Sequence, residues 1–204
     1  MEAPAAARKP EVARGKRLNQ LLRRPSEAEG ERSLRYLLLR MRGAAHYATK
    51  GHLVRRQAVA AIEHLSEPAA ERLLRELHRI LRPGGIARLT TPDLQKLVAI
   101  YEDRNAAVSR AEYGRYLDEG TGKTHERPAQ ILNDFLRLWG HRYVYDEEDL
   151  SARLVEAGFT DVVRRAPGES DHEALRHLER HGTEEWVNHA EAMCLEAQRP
   201  TSDS

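Results

Sequence analysis

One cysteine, Cys194, stands in the 204 residues, so the chain can build neither an internal disulfide scaffold nor a cysteine-rich zinc centre. Aromatics are scarce, with 2 Phe, 2 Trp and 7 Tyr. No apolar run approaches the roughly 18 residues that a membrane helix needs, which excludes membrane spanning. The first 30 residues lack the apolar stretch of a secretory signal, and with a lone cysteine this favours a cytoplasmic address. Aspartate is missing from residues 1–57, which carry 14 Lys and Arg against 5 Glu, a formal +9. The other 147 residues hold 19 basic and 27 acidic side chains, a formal −8. The net charge of +1 is thus the balance of two unlike segments, with a boundary near Gln57.

What is present suits one α/β domain with an irregular end. Residues 1–57 have few β-branched or aromatic residues and little material for strands. Leu34, Leu37, Leu38 and Met41 recur at helical spacing behind Ser33, so the segment reads as basic and irregular or helical. Tyr36 and Tyr47 are its only aromatics, and a charge run is usually a solvated face, so nucleic acid is not an expected partner. From Ala58 the punctuation becomes regular. A short apolar run over 58–62 reads as a strand, Ser66 and Pro68 open a helix, and Leu73, Leu74, Leu77, Ile80 and Leu81 mark its buried face. Arg82-Pro83-Gly84-Gly85 ends that helix. A strand over Ile86 to Thr91 follows, ending at Pro92-Asp93, and this order argues for a parallel sheet.

An excursion over Leu94 to Trp139 carries an apolar stripe of Ile131, Leu132, Phe135 and Trp139. Asp146 caps a helix with Leu150, Leu154 and Val155 inward and Gly158 at its end. Thr160 to Arg165 reads as a strand, a helix from Asp171 carries Leu175 and Leu178, and Glu191 to Ala197 reads as the last strand. Residues 201–204 read as a disordered tail.

Two chemical motifs weaken on inspection. Gly120-Thr121-Gly122-Lys123-Thr124 is like the end of a phosphate-binding loop, but Leu117 stands where the first glycine belongs and no apolar strand precedes it. A solvated loop is the better reading. His177 and His181 lie four apart, flanked by His172 and His189, but the zincin glutamate is absent and position 178 is Leu. They read as surface histidines, and the spacing marks no metal ligands. Cys194, inside an apolar strand, reads as packing rather than as a nucleophile.

A more specific pattern is Glu63-His64-Leu65-Ser66, then Leu77 through Arg82-Pro83-Gly84-Gly85, then the strand ending in Pro92-Asp93. It continues through Trp139-Gly140-His141-Arg142-Tyr143, Tyr145-Asp146, Ala157-Gly158-Phe159 and Gly168-Glu169-Ser170-Asp171. In these motifs and their order, residues 58–200 resemble the class I S-adenosylmethionine-dependent methyltransferases, particularly type 11 members found with glycan biosynthesis. The resemblance implies a Rossmann-like α/β fold with a C-terminal antiparallel strand. It also implies methyl transfer from S-adenosylmethionine to an oxygen or nitrogen on a small molecule or glycan. Glu63 and His64 would border the cofactor. His141 and Asp93 are the candidates for the acceptor side, His141 as the imidazole that takes a proton, while the plainer roles are a helix cap for Asp93 and loop ordering for His141.

The family binds its cofactor through a first-strand Gly-x-Gly loop and an acidic residue after the second strand. Residues 1–57 contain no Gly-x-Gly and no Asp. The alternatives are therefore a frame-damaged methyltransferase or a methyltransferase-derived scaffold that binds without catalysing. A sheet without its first strands exposes an apolar edge, so a weakly stable monomer or dependence on another copy or another chain is expected.

Overall fold

The computed structural model describes residues 62–179 and 185–201. The helix expected near Leu34 to Met41, the first four residues of the expected strand over 58–62, His181 and residues 202–204 lie outside them. The described residues form a mixed α/β unit. A 3-10 turn, Ile62–His64, leads into α1 (Glu67–Ile80), β1 (Ile86–Pro92), α2 (Leu94–Tyr101), α3 (Arg110–Thr121), α4 (Pro128–Leu138), α5 (Glu147–Glu156) and β2 (Thr160–Arg165). A second 3-10 turn, Glu173–Leu175, precedes α6 (Glu185–Glu191) and β3 (Ala192–Gln198).

The three strands lie in the order β1-β3-β2. β3 runs antiparallel to both neighbours, with Leu89 opposite Leu195 and Arg165 opposite Cys194. The C-terminal strand is therefore antiparallel, as the resemblance implied. The parallel sheet is not found among the described residues. A helix-to-strand order says that β1 follows α1, but it does not say which strand will lie beside β1. Here the last strand takes that place and reverses the direction. Among the described residues, the one parallel contact outside the ladders is an isolated bridge between Asp93 and Tyr145.

α1 forms because Leu73, Leu74 and Leu77 align on one face. All three are buried with Leu81 against Leu89, Leu150, Leu154, Phe159, Met193 and Leu195, and each side chain so buried contributes about 1.5–3 kcal/mol. Ser66 stands at the N-cap with Pro in the first turn, although its side chain makes no cap bond. A second core lies among α2, α3, α4 and α6, built on Leu97, Ile100, Tyr113, Leu117, Ile131, Phe135 and Ala190. It contains Ile131 and Phe135 of the expected stripe, with Leu132 and Trp139 partly buried beside them.

The helix expected from Asp171 is replaced by the turn Glu173–Leu175, and the helix begins instead at Glu185. His177 has a positive φ of 54°, outside the right-handed helical region. Arg176 donates to the Ser170 carbonyl at 2.7 Å and Glu179 accepts from the Gly168 N–H at 2.7 Å. Side chains here hold the backbone in a loop that leucine spacing alone does not reveal.

Gly158 ends α5 at φ +97°, and a Cβ there would stand 3.1 Å from His78 Nε2. Gly158→Ala is expected to cost at least about 1–2 kcal/mol from the backbone alone. Urea denaturation of the two proteins measures it.

Candidate functional site

The C-terminal end of β1 is a junction. Thr91 and Pro92 finish the strand and Asp93 begins α2, accepting at Oδ1 from the Gln95 N–H at 2.9 Å. The chain after α4 turns at Trp139 and Gly140, the latter at φ +77°, and runs back past this end. There the Leu94 N–H donates to the Tyr145 carbonyl at 2.8 Å. Within the same stretch, the Arg142 and Tyr143 N–H groups both donate to the Glu63 carbonyl, at 2.7 and 3.2 Å. The Glu63-His64 turn is thereby tied by its backbone to the His141 loop.

Three of the four residues singled out from the sequence meet here. Glu63, His64 and His141 each offer one ligand atom, and these atoms lie within 4.8 Å of one another. Glu63 is buried, its side chain only 3% exposed, whereas the His64 side chain is 37% exposed. The Glu63 carboxylate is divided between two neighbours: Thr91 Oγ1 donates to Oε2 at 3.0 Å, and His64 Nε2 stands 3.4 Å from Oε1.

His141 Nδ1 lies 3.0 Å from the Phe135 carbonyl. That oxygen can only accept, so Nδ1 carries the proton of the neutral ring and Nε2 the lone pair. The His141 ring is also held by its neighbours, with centroids 5.1 Å from both His64 and Phe135 and 6.4 Å from Trp139. A buried carboxylate and two imidazoles, each with an orienting partner in the fold, can bind a cationic group or relay a proton.

Asp93 goes elsewhere. Besides capping α2, its buried carboxylate pairs with Arg164, which also reaches Glu147 at 2.8 Å. Asp93 therefore plays the cap role and joins α2 to β2. Beside it, Lys96 donates to the carbonyls of His189 and Ala192 at 3.0 and 2.6 Å. Burial, reinforced by Arg164, lowers the pKa of its ammonium.

Sequence reasoning missed Thr91 and the Phe135 carbonyl. Thr91 shows only as the residue before Pro92-Asp93, and a backbone carbonyl carries no side-chain signal.

The other motifs settle into structural roles. Gly120 and Thr121 close α3, Gly122 is its left-handed cap at φ 69°, and Lys123 pairs with Asp134 at 2.7 Å. The loop is a helix ending. Cys194 is fully buried and its thiol is pushed up to about 11 by that burial, as fits a packing role.

No protein-family model matches the chain, and no curated protein matches it. A solved structure described as a possible exported protein from Bordetella parapertussis is similar at 19% identity and a TM-score of 0.32. The match covers 72% of this chain and 40% of that one, so this chain spans less than half the length of its neighbour. The description runs against the cytoplasmic address expected from the sequence, and that address is withdrawn. A likeness of this extent assigns no compartment of its own. No helix among the described residues is long and apolar enough to cross a membrane.

Proposed function

We propose that the chain is a methyltransferase-like protein that uses S-adenosylmethionine to methylate an oxygen or nitrogen of a small molecule or glycan. The observation that carries the reading is the convergence of Glu63, His64 and His141 at the end of β1. These residues come from two of the separate motifs on which the family resemblance rests. The α/β architecture and the antiparallel last strand agree with it.

The donor set fits the positively charged side of such a cofactor. Glu63 is a buried carboxylate held by Thr91, and a half-exposed imidazole stands beside it. The cofactor supplies an electrophilic methyl on a sulfonium. The chain's own residues do the remaining work. Glu63 places negative charge next to the cationic group, and His64 shapes the exposed side of the site. His141 takes the acceptor's proton on Nε2 while Nδ1 stays bonded to the Phe135 carbonyl. Asp93 acts as a positioning residue, fixing the end of β1 through α2 and Arg164.

Calorimetry on the full chain with S-adenosylmethionine tests the reading. Saturable binding that Glu63→Gln weakens is expected, and no heat at millimolar ligand removes the methyl-transfer proposal. That negative result would instead favour the second reading, a methyltransferase-derived scaffold without a working cofactor site. The absence of Gly-x-Gly and aspartate from residues 1–57 is the observation behind this alternative.

A further inference from the structure

We infer that Glu63, His64 and His141 form a binding site for one divalent transition-metal cation, with zinc the ion that suits the donors best. The inference does not rest on methyl transfer. It asks only for the three ligand atoms, which already lie within 4.8 Å of one another. Two imidazoles and one carboxylate are a recurrent three-residue set for a metal with an open position, as in catalytic zinc sites.

The detailed geometry supports more than proximity. In a tetrahedral site with metal–ligand distances near 2.0–2.2 Å, two ligand atoms are separated by about 3.4 Å. Glu63 Oε1 and His64 Nε2 already stand 3.4 Å apart, so one edge of the tetrahedron is in place. Thr91 occupies Oε2 and leaves Oε1 as the ligand oxygen. The His141 ring donates from Nδ1 to a backbone carbonyl, which puts the lone pair on Nε2. Metal-ligating histidines usually make this second bond, because it fixes the tautomer and the ring plane. The carboxylate and one imidazole thus each have an outer partner of the type such sites use. His64, its side chain 37% exposed, has room to turn and close the site.

Glu63 and His64 are adjacent in the chain and His141 lies far along it, so no spacing motif announced the set. The backbone bonds from Arg142 and Tyr143 to the Glu63 carbonyl hold the two segments together whether or not a metal is bound. The site is therefore preformed, and ordering the loop need not be charged against binding.

A metal on His141 Nε2 uses the lone pair that would otherwise take a proton, so the two roles of His141 exclude each other. With the cation bound, an acceptor hydroxyl would lose its proton to solvent after coordination lowers its pKa.

The test is a titration of the metal-free full chain with Co²⁺, whose visible absorption reports its ligands, followed by competition with Zn²⁺. One equivalent is expected to bind and to develop visible bands that Zn²⁺ abolishes. His64→Ala and His141→Gln are each expected to weaken binding by at least about 100-fold, and Thr91→Val, which removes only an outer partner, by about 10- to 100-fold. His172→Ala, an exposed histidine elsewhere, is expected to leave it unchanged. His64 is on the surface, so its variant folds even where His141→Gln loosens the loop. No binding at millimolar metal, or binding that His64→Ala leaves intact, overturns the inference. Calorimetry with S-adenosylmethionine in a chelator decides the methyl-transfer reading separately.

Discussion

Arg88→Met is expected to lower folding stability by about 3–5 kcal/mol, the cost of leaving buried charges without their partner. Total stability for a chain of this kind is only about 5–15 kcal/mol, so the effect is large. Arg88 sits in the middle of β1 with its side chain fully buried. Its Nε donates to Glu179 and its Nη1 to Glu196, both at 2.7 Å, and Nη1 also donates to the Glu169 carbonyl at 2.8 Å. The two carboxylates are almost as deep, with side chains 2% and 5% exposed. Glu179 also accepts from the Gly168 N–H, so one guanidinium fastens β1 to β3 and to the loop after β2. Removing it takes the guanidinium from both buried carboxylates, leaving Glu196 with Arg165 at 3.4 Å and Glu179 with the Gly168 N–H and the Thr90 hydroxyl, and methionine fills the volume without supplying a donor. Urea denaturation measures the loss. Glu196→Gln, which keeps a polar partner for Arg88 and for Arg165, is a milder variant for use if Arg88→Met does not accumulate folded. An effect under about 1 kcal/mol, the scale of an exposed pair, would contradict this account.

The same network sets an acid response. Burial alone would raise the Glu179 carboxyl, but the bonds from Arg88 and from the Gly168 N–H outweigh it and hold the pKa below the ordinary glutamate value. A carboxyl depressed in the folded state adds stability that is complete above the unfolded value of about 4.3 and is lost as pH falls through the lower folded value. Wild-type stability should therefore drop through this acid range. In Arg88→Met, Glu179 has lost the bond that holds its pKa down, so the gap between variant and wild type narrows as pH falls.

How much of this was legible in the sequence depends on the distance over which each feature is decided. β2 spans Thr160–Arg165, the same residues as its sequence reading, and β1 ends at Pro92 because Pro83-Gly84-Gly85 and Pro92-Asp93 punctuate locally. The α5 cap at Asp146, accepting from the Asp149 N–H at 2.9 Å, is local too. The direction of the sheet was not legible, because hydrophobic alternation marks a strand and says nothing of its neighbour. Arg88 shows the limit clearly. Its partners lie 91 and 108 residues away, and no local pattern distinguishes a buried arginine from a solvated one. Glu63, His64 and His141 were named from motif order, but their meeting depends on the loop that returns to the Glu63 carbonyl. Leu175 and Leu178 misled for the complementary reason: their spacing suits a helix, while Arg176 and Glu179 bind backbone groups outside any helix.

Under the methyl-transfer reading, His141→Gln is expected to lower kcat by about 10²–10⁴-fold, the range that a positioned general base contributes. At 1.36 kcal/mol per factor of ten, this is an effect on the barrier comparable to that of Arg88 on stability. Glutamine keeps much of the volume that packs on Phe135 and His64, but its amide cannot take a proton near neutral pH. The loss should therefore fall in kcat rather than in cofactor affinity. The acidic limb of the wild-type pH–rate profile, where the imidazole is protonated and inactive as a base, should disappear in the variant. The cation reading gives a different pattern for the same substitution. There the wild-type enzyme itself loses its rate in a chelator and recovers it with Zn²⁺, and His141→Gln is partly rescued by excess metal. A rate that survives chelation, together with the missing acidic limb, assigns His141 to the proton. A rate that depends on added metal assigns its lone pair to the cation. A variant that retains the wild-type rate and pH profile under both conditions removes His141 from the chemistry altogether.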